Sequence, residues 1–398
     1  MEWKEVRLGD VCTRVCSGGT PKSTNLSYYG GEIPWLNTKE IDFNRIYSTE
    51  KTITDSGLNN SSAKWIVPNT ITVAMYGATA GKSCIVKVPM TTNQACCNLA
   101  INDKVADYEF VYYSLKNDYT TLASLANGGA QQNLNAQIIK DYVLKMPSLA
   151  DQHRIASILS SLDRKIELNN KINADLEEMA QAIFKNWFVD FEPFKDGKFV
   201  DSELGMIPEG WKVGTLGDIT KNKSAKVKER NDVKVLSPVT TGELVLSEEY
   251  FTKQVFSSSI AKYKIVNKGD FAYNPARVNI GSLGRNEFDF DGCVSPVYVV
   301  FSVLDGYENY FDLFRKTDFF KDSVASLAIG GVRQSLSYDD LSSIEVIIPS
   351  ENAVEEFNNL YNQMKKTIKA NKLENSRLSL LRDTLLPCLM SGELEVPE

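Results

Sequence analysis

Apolar side chains recur at steps of three and four residues, or their sum, after residue 148, and this period predicts a long amphipathic helix. Ser148 stands three residues before Asp151, a pattern typical of a capped helix start. Charged residues fill the positions between the apolar ones and predict a solvent-facing side, and Pro193 ends the run. The apolar stripe consists of Ile155, Ile158, Leu162, Ile166, Ile172, Leu176, Met179 and Ile183.

A second stripe of the same kind follows residue 350 and predicts a second helix that ends near Pro387. Each predicted helix spans ~37 residues and is therefore roughly 55 Å long. A narrow stripe of this length needs a partner, and the equivalent stripe in this chain is the other one. We therefore predict an antiparallel coiled coil; the alternative is two unrelated helices, each packed on its own domain. The second stripe consists of Phe357, Leu360, Met364, Ile368, Leu378, Leu381 and Leu385.

The segments before the two helices are duplicated as well. The motif Leu-Gly-Asp at residues 8–10 recurs at residues 216–218. Residues 128–134 match residues 330–336 at an offset of 202, and the same register continues into both helices. One register held through a turn and a long helix excludes chance similarity, so the chain contains an internal repeat.

Strand-like and helical patterns alternate within each duplicated segment. Residues 71–75, 83–88 and 297–301 read as strands, and residues 108–125 and 310–327 read as short helices. The predicted fold class is α/β (of the α+β kind), with two mixed domains, a pair of long antiparallel coiled-coil helices and an internal pseudo-twofold duplication. The expected boundaries are 1–148 for the first domain, 149–190 for the first spacer helix, 191–209 for a linker, 210–348 for the second domain, and 349–398 for the second spacer helix and C-terminal tail.

Composition limits the location and the mode of binding. The net charge is −7, and 14 basic and 13 acidic side chains make the first domain almost neutral, so strong binding through phosphate contacts alone is not expected. The seven cysteines are scattered and indicate free thiols in a reducing compartment, which favours the cytoplasm. No apolar run approaches ~18 residues, so we expect neither a membrane span nor a signal peptide.

Motifs for catalysis are incomplete. Residues 77–83 resemble a phosphate-binding loop but have one residue too few between the glycines. Asn274 and Pro275 resemble the base-holding loop of adenine methyltransferases, without its second proline and aromatic residue. His153 is the only histidine, and Cys12 and Cys16 lack a second pair of ligands, so we expect no metal and no cofactor.

The two glycine-containing turns present polar side chains suited to reading bases. Arginine, glutamine and asparagine match the donors and acceptors on guanine and adenine in the major groove. The basic run that opens the second domain is suited to contact phosphates. The alternative is that the turns only link a helix to a strand and that the lysines are solvated. The candidates are Gln131, Gln132 and Asn133 in the first turn, Arg333 and Gln334 in the second, and Lys221, Lys223, Lys226 and Lys228 in the basic run.

Several segments resemble one family, the specificity subunits of type I restriction–modification systems. The sequence WFVDFEPF at residues 187–194, followed by GMIPEGWK at residues 205–212, is similar to the family's central region. Residues 28–35 and 76–82 resemble its first target-recognition domain, and residues 152–159 resemble the start of its first spacer helix. The resemblance covers the whole chain and its duplicated order.

The resemblance implies a non-catalytic DNA reader. Each target-recognition domain would contact one half of a bipartite site on double-stranded DNA, and the helices would set the spacing. The helices would also dock two modification subunits, which act on adenine with S-adenosylmethionine, and ATP-driven restriction subunits would join them. Lys22, Lys82 and Arg277 are further candidates for DNA contacts. The alternatives are a coiled-coil scaffold that joins two protein-binding domains and an unrecognised DNA methyltransferase.

Overall fold

The computed structural model describes residues 2–126, 133–327 and 335–396. The chain divides into two compact units. Unit 1 comprises Met1–Asn170 and Lys372–Glu398, and unit 2 comprises Lys171–Asn371. Each of the two long helices therefore contributes one half to each unit.

Unit 1 is built on two mixed sheets and a two-stranded ribbon. Its strands are β1 (Lys4–Arg7), β2 (Cys12–Ser17), β3 (Tyr29–Leu36), β4 (Arg45–Ile46), β5 (Thr52–Ile53), β6 (Trp65–Ile66), β7 (Ile71–Ala74), β8 (Ser83–Val86), β9 (Met90–Thr92), β10 (Cys96–Ile101) and β11 (Val143–Met146). Its helices are α1 (Asp55–Asn59), α2 (Tyr108–Asn117), α3 (Tyr119–Ser124), α4 (Ala136–Asp141) and the first half of α5 (Leu149–Phe188). The strand orders are β2-β10-β7-β8-β4, β5-β3-β9-β6 and β1-β11.

Unit 2 repeats this arrangement. Its strands are β12 (Phe199–Val200), β13 (Ile207–Pro208), β14 (Lys212–Thr215), β15 (Thr220–Lys223), β16 (Lys234–Pro238), β17 (Leu244–Leu246), β18 (Lys264–Val266), β19 (Phe271–Tyr273), β20 (Leu283–Arg285), β21 (Gly292–Val294), β22 (Val299–Val303) and β23 (Glu345–Ile348). Its helices are α6 (Leu216–Ile219), α7 (Ser247–Tyr250), α8 (Glu308–Phe314), α9 (Asp318–Leu327), α10 (Tyr338–Ser342) and the first half of α11 (Glu351–Ser391).

The sheet connections confirm the duplication and the mixed fold class. The orders β15-β22-β19-β20, β17-β16-β21-β18 and β14-β23 in unit 2 match those of unit 1 strand for strand. In both units the second sheet contains a parallel pair, β3 with β9 and β16 with β21. Unit 1 adds strand β4 at the edge of its first sheet, and unit 2 adds the β12-β13 ribbon. The repeat found in the sequence is therefore a repeat of topology.

Helix α5 starts as predicted, but α11 does not end as predicted. The Asp151 N–H donates to Ser148 Oγ at 3.2 Å, and Ser148 Oγ donates to the Asp151 carboxylate at 2.7 Å, which caps the first turn of α5. Pro387 lies inside α11 and does not end it. Leu389 and Met390 are buried in the core of unit 1, and this burial holds the last turn helical beyond the proline. The helices have 40 and 41 residues.

The two long helices meet in antiparallel order within each unit. In unit 1, Asp163 accepts a hydrogen bond from Arg382 at 2.6 Å, and Asn169 Nδ2 donates to Asn375 Oδ1 at 2.9 Å. In unit 2, Asn371 Nδ2 donates to Asn173 Oδ1 at 2.8 Å, further along in the same order. These contacts agree with the predicted coiled-coil pairing. Each helix half also packs on the sheets of its unit, which is one part of the alternative of two separately packed helices.

The buried face of α5 is turned by about one residue from the predicted stripe. Met179 is 51% exposed, whereas Ala180 and Phe184 are almost fully buried. Leu360 and Leu381 on α11 are also 44% and 47% exposed. Met179, Leu360 and Leu381 are therefore not buried between the helices as the stripes predict. The apolar pattern predicts a different face because several residues that are buried between the helices are polar, among them Asp163, Asn169 and Asn173. The other predicted members are buried or half-buried: Ile155, Ile158, Leu162, Ile166, Ile172, Leu176, Ile183, Phe357, Met364, Ile368, Leu378 and Leu385.

The segment expected as a linker is folded onto unit 2. Phe191 and Phe194 pack against the core with Trp211, the latter pair at 5.0 Å between ring centroids. Ile207 is buried in the β12-β13 ribbon. Apolar side chains in a short connecting segment thus extend the core, as their hydrophobicity requires.

Candidate nucleic-acid interface

Strand ends bring several loops to one edge of unit 1. In the first sheet, Ser17 at the end of β2 lies opposite Cys97, and Ala74 at the end of β7 lies opposite Cys96. Both strands run antiparallel to β10, so residues 18–22 and the loop after β7 leave the sheet at the same side. We call this side the loop edge of unit 1.

The same edge exists in unit 2. Lys223 at the end of β15 lies opposite Val300, and Tyr273 at the end of β19 lies opposite Val299. Residues 224–228 and the loop after β19 therefore leave together, at the loop edge of unit 2. Each unit thus presents irregular backbone on a rigid sheet, the usual placement of recognition residues.

One loop has the same frame in both units. The Ala74 N–H donates to the Lys82 carbonyl at 2.9 Å, and the Asn274 N–H donates to the Ser282 carbonyl at 3.1 Å. Each pair closes a seven-residue loop, 75–81 in unit 1 and 275–281 in unit 2, which we call the frame loops. Each contains one 3-10 turn, Gly77–Thr79 or Val278–Ile280, and ends in a glycine with φ of +86° or +94°.

The glycine that closes the second frame loop is required by both conformation and space. Gly281 has a left-handed backbone, which L-residues rarely adopt. A Cβ atom at this position would also lie 2.7 Å from the carbonyl oxygen of Thr240. Any substitution must therefore shift the loop, so Gly281 fixes where its neighbours emerge.

The frame loops display different side chains at equivalent positions. Residues 76, 77 and 78 of unit 1 are exposed and are tyrosine, glycine and alanine. Their counterparts in unit 2, at an offset of 200, are Ala276, Arg277 and Val278, of which only Val278 is buried. Asn279 and Ile280 are exposed as well. The two loops, alike in length and in closing hydrogen bond, therefore present an aromatic ring in one unit and a guanidinium in the other.

The described residues that follow the predicted reading turns contact the frame loops. Gln131, Gln132, Arg333 and Gln334 lie outside the residues that the structure describes. Asn133 forms a bridge with Tyr76, and the next residue, Leu134, donates its N–H to the Met75 carbonyl at 2.7 Å. In unit 2 the Leu336 N–H donates to the Pro275 carbonyl at 3.1 Å. Leu134 and Leu336, which follow the two turns in the sequence, thus bind the first residue of each frame loop.

Two of the predicted phosphate-binding lysines are engaged in ion pairs. Lys223 Nζ lies 2.7 Å from Asp270, whose side chain is 5% exposed. Lys223 therefore neutralises a buried carboxylate, and its own side chain is 32% exposed, so its assignment to DNA contacts stays a prediction. Lys82 Nζ lies 2.5 Å from the exposed Asp42, which partly neutralises it.

The remaining predicted basic residues are exposed. Lys22 lies at the loop edge of unit 1, and Lys226 and Arg277 lie at the loop edge of unit 2. Lys221 on β15 and Lys228 are exposed too.

Sequence reasoning missed three exposed residues of the frame loops, namely Tyr76, Asn279 and Ile280. Tyr76 is 41% exposed and Ile280 is 56% exposed, although both follow buried strands. A signal for them existed in the glycines at 81 and 281, which end loops of equal length. It was hidden because residues 276–280 share almost no identity with residues 76–80.

Residues that could have supported catalysis have structural roles. His153 Nδ1 lies 2.8 Å from Asp107, which also accepts the Phe110 N–H at the start of α2. Burial raises the pKa of the Cys12 thiol to about 11 and that of Cys97 to about 12, so both stay protonated. Within the described ranges, no group of three or more His, Cys, Asp or Glu residues is arranged to hold a metal ion.

Over residues 2–126, 133–327 and 335–396, no helix is both long enough and apolar enough to cross a membrane.

Comparison with known proteins points to one family. A family model described as the type I restriction modification DNA specificity domain matches residues 1–178. The specificity subunit of the type I restriction enzyme MjaIX from Methanocaldococcus jannaschii is 29% identical over 414 residues, covering 100% of this chain and 94% of its own length. The HindI specificity subunit from Haemophilus influenzae is 23% identical, covering 99% of this chain and 100% of its own length.

A solved structure supports the same grouping at the level of fold. The crystal structure of the type I restriction–modification S subunit from M. genitalium covers 100% of this chain and 97% of that chain. Its TM-score is 0.61 at 18% sequence identity, so the likeness is one of fold.

Proposed function

The chain belongs to the specificity subunits of type I restriction–modification systems, and we propose that its two units read the two halves of one bipartite DNA site. As a member of that family it is a non-catalytic DNA-recognition subunit. Specificity subunits assemble with the other subunits of their systems, which perform the chemistry. The sheets and the helix pair of this chain must therefore supply recognition and geometry.

The observation that supports this proposal is the pair of equivalent loop edges. Two loops of equal length, each closed by an equivalent backbone hydrogen bond and ended by a glycine, display unlike side chains, with Tyr76 in unit 1 and Arg277 in unit 2. A reader of an asymmetric site needs this combination, because equivalent loops carry side chains to the same edge of each unit while unlike side chains select different bases. The predicted turn residues Gln131, Gln132, Asn133, Arg333 and Gln334 would act beside the frame loops.

Charge in the chain accounts for only part of the affinity. Lys22 in unit 1 and Lys221, Lys226 and Lys228 in unit 2 are the exposed cations that we assign to phosphate contacts. The whole chain has a net charge of −7, which opposes binding to a polyanion. We infer that partner subunits supply further phosphate contacts, so the assembled complex will depend more steeply on salt than the isolated chain.

Exposed apolar side chains on the long helices provide the proposed docking surface for partners. In unit 1, Leu168, Leu373 and Leu380 are 52%, 54% and 70% exposed. In unit 2, Met179 and Leu360 are about half-exposed. Apolar residues left in water along a helix favour a partner surface. We propose that each unit docks one modification subunit there, that restriction subunits join the complex, and that the protein acts in the cytoplasm.

The helix pair is the proposed spacer between the half-sites. The Asn169–Asn375 hydrogen bond of unit 1 lies at the centre of two segments of equal length, residues 166–172 of α5 and residues 372–378 of α11. Deleting both segments removes two turns from each helix and keeps the remaining faces almost in phase. At 1.5 Å per residue the pair shortens by roughly 10 Å, so the half-sites should approach by about 3 base pairs.

The test is to sequence the modified sites produced by the assembled complex before and after this matched deletion. We expect two unchanged half-sites with a shorter gap. Deleting residues 166–172 alone is the control: it leaves the helices unequal and should abolish modification. An unchanged gap after the matched deletion would refute the spacer, and a wild-type complex without any sequence preference would instead favour a scaffold.

A further inference from the structure

The second frame loop holds Arg277 in a defined position with its side chain in solvent. The Arg277 N–H donates to the Asn274 carbonyl at 2.9 Å, and the Arg277 carbonyl accepts the N–H groups of Ile280 and Ser282, both at 3.1 Å. The neighbouring Val278 is 5% exposed and anchors the loop in the core. A fixed backbone reduces the conformational entropy lost when the guanidinium binds.

The first frame loop is anchored as firmly but displays no cation. The Tyr76 backbone forms a bridge with Asn133, and Gly81 donates its N–H to the Ala74 carbonyl at 2.9 Å. Ala80, whose counterpart Ile280 is exposed, is buried here. Residues 75–81 contain no charged side chain, so the half-exposed Tyr76 ring is the largest group that this loop presents.

We propose that the frame loops determine base preference, with Arg277 selecting guanine in the half-site read by unit 2 and Tyr76 contacting a thymine methyl group in the other half-site. An arginine fork pairs with the O6 and N7 atoms of guanine, whereas an apolar surface favours the thymine methyl. This inference rests on the proposed function and goes beyond it, because it assigns a residue and a base class to each unit.

Arg277 and Tyr76 can select particular bases, whereas the lysines at the same edges are suited to contact phosphates of any sequence. Lys226 is exposed at the loop edge of unit 2, but it lies outside the frame loop, on the segment that follows β15. A single ammonium there is suited to a phosphate, which every sequence provides. Removing Lys226 should therefore weaken all sequences alike, and this makes it the matched control for Arg277.

The test uses the full chain assembled with the modification subunit of its own system. A pool of duplexes with randomised half-sites is methylated, and the modified molecules are sequenced. For Arg277→Ala we expect the preference for guanine at one position of one half-site to fall by about 5- to 150-fold, with the other half unchanged. Arg277→Lys should lose the same preference while retaining more total methylation, because it keeps the charge without the fork.

The reciprocal variant and the control complete the experiment. Tyr76→Ala should weaken the preference for thymine at one position of the opposite half-site only. Lys226→Ala should lower the methylation of all sequences equally and reduce the slope of the salt dependence by the amount expected for about one phosphate contact. The inference is overturned if Arg277→Ala lowers the methylation of all sequences equally, or if it leaves the preference for guanine intact. If the wild-type complex shows no bipartite motif at all, the proposed function fails and not this assignment alone.

Discussion

Units 1 and 2 share their strand order but attach the long helices in different ways. In unit 1 an ionic network supplements the apolar packing: the Arg45 guanidinium, 3% exposed, lies 3.2 Å from Glu109 and 3.0 Å from Glu167. Asp163 on α5 lies 3.6 Å from Arg45 and accepts a hydrogen bond from Arg382 on α11. One buried network thus connects strand β4 and helix α2 to both long helices.

In unit 2 the attachment is aromatic. Phe188 on α5 and Phe357 on α11 lie 5.0 Å apart between ring centroids, and Tyr310 on α8 lies 5.1 Å from Phe188. Asn309 adds hydrogen bonds to Asn358 and Asn362 on α11, at 3.0 and 2.9 Å. An aromatic cluster thus stands in unit 2 where unit 1 has its buried ion-pair network.

The comparison teaches that sheet topology survived duplication while the helix contacts diverged. Position 163 of unit 1 corresponds to position 365 of unit 2 at the offset of 202, and there an aspartate corresponds to a lysine. Asp163 pairs with arginines, and Lys365 pairs with Glu287. Because the charges at equivalent positions are opposite, a helix half from one unit would place a like charge against the other unit. The two attachments are not interchangeable.

The largest effect is expected from the aromatic attachment. Phe357→Ala should lower the free energy of unfolding of unit 2 by about 4 kcal/mol, because the buried ring leaves a cavity. Ile155→Ala, the equivalent position in unit 1, should cost about 3 kcal/mol there. Hydrogen exchange read by mass spectrometry on peptides of each unit measures both. Equal loss of protection in both units for either variant would contradict separate attachments.

A smaller effect is expected from the ionic attachment. Asp163→Asn should lower the stability of unit 1 by about 3 kcal/mol, because the buried Arg45 loses part of its neutralising charge. Lys365→Met, its counterpart, should cost less than about 1 kcal/mol, since its partner Glu287 is largely exposed and screened. Urea denaturation of the two variants beside wild type compares them. Similar urea midpoints for the two variants would mean that burial does not make the Asp163–Arg45 pair more important for stability than the Lys365–Glu287 pair.

A third effect is a pH dependence of unit 2 that comes from Asp312. Burial alone would raise the pKa of Asp312, but the cations Arg315, Lys316 and Lys365 outweigh it and hold the pKa at about 2. Because this pKa lies below the ordinary 3.8, the ionised group stabilises the fold by about 2 kcal/mol above pH 4, and this is lost as the pH falls towards 2.

The check is acid titration of wild type and Asp312→Asn, followed by hydrogen exchange in unit 2. Wild type should lose protection in unit 2 between pH 4 and 2. The variant should start from lower stability and lose less over the same interval. A variant with the wild-type acid response would assign that response to other carboxylates.

Several parts of the fold were predictable because their causes are local. The stripes before Phe188 and after Ser350 follow the helical period, and the Ser148–Asp151 cap follows from the orphan amides of a first turn. The repeat at offsets of 202 and 208 predicted two equivalent domains, and the topology confirms it. The candidate site was predicted in part: Arg277 and Lys226 lie at the loop edge of unit 2, whereas Lys223 is paired with Asp270.

By itself the sequence determined that this protein has two like domains, two long helices and the motifs of a specificity subunit, since period, repeat and motif are all properties of neighbouring residues. Only the tertiary structure decided which face of α5 is buried, that Arg45 joins a network with Asp163 and Arg382, and that the loops after β7 and β19 share one frame. These features depend on contacts between residues that are far apart in the chain. Their energies come from burial and pairing, which exist only once the strands and helices have packed.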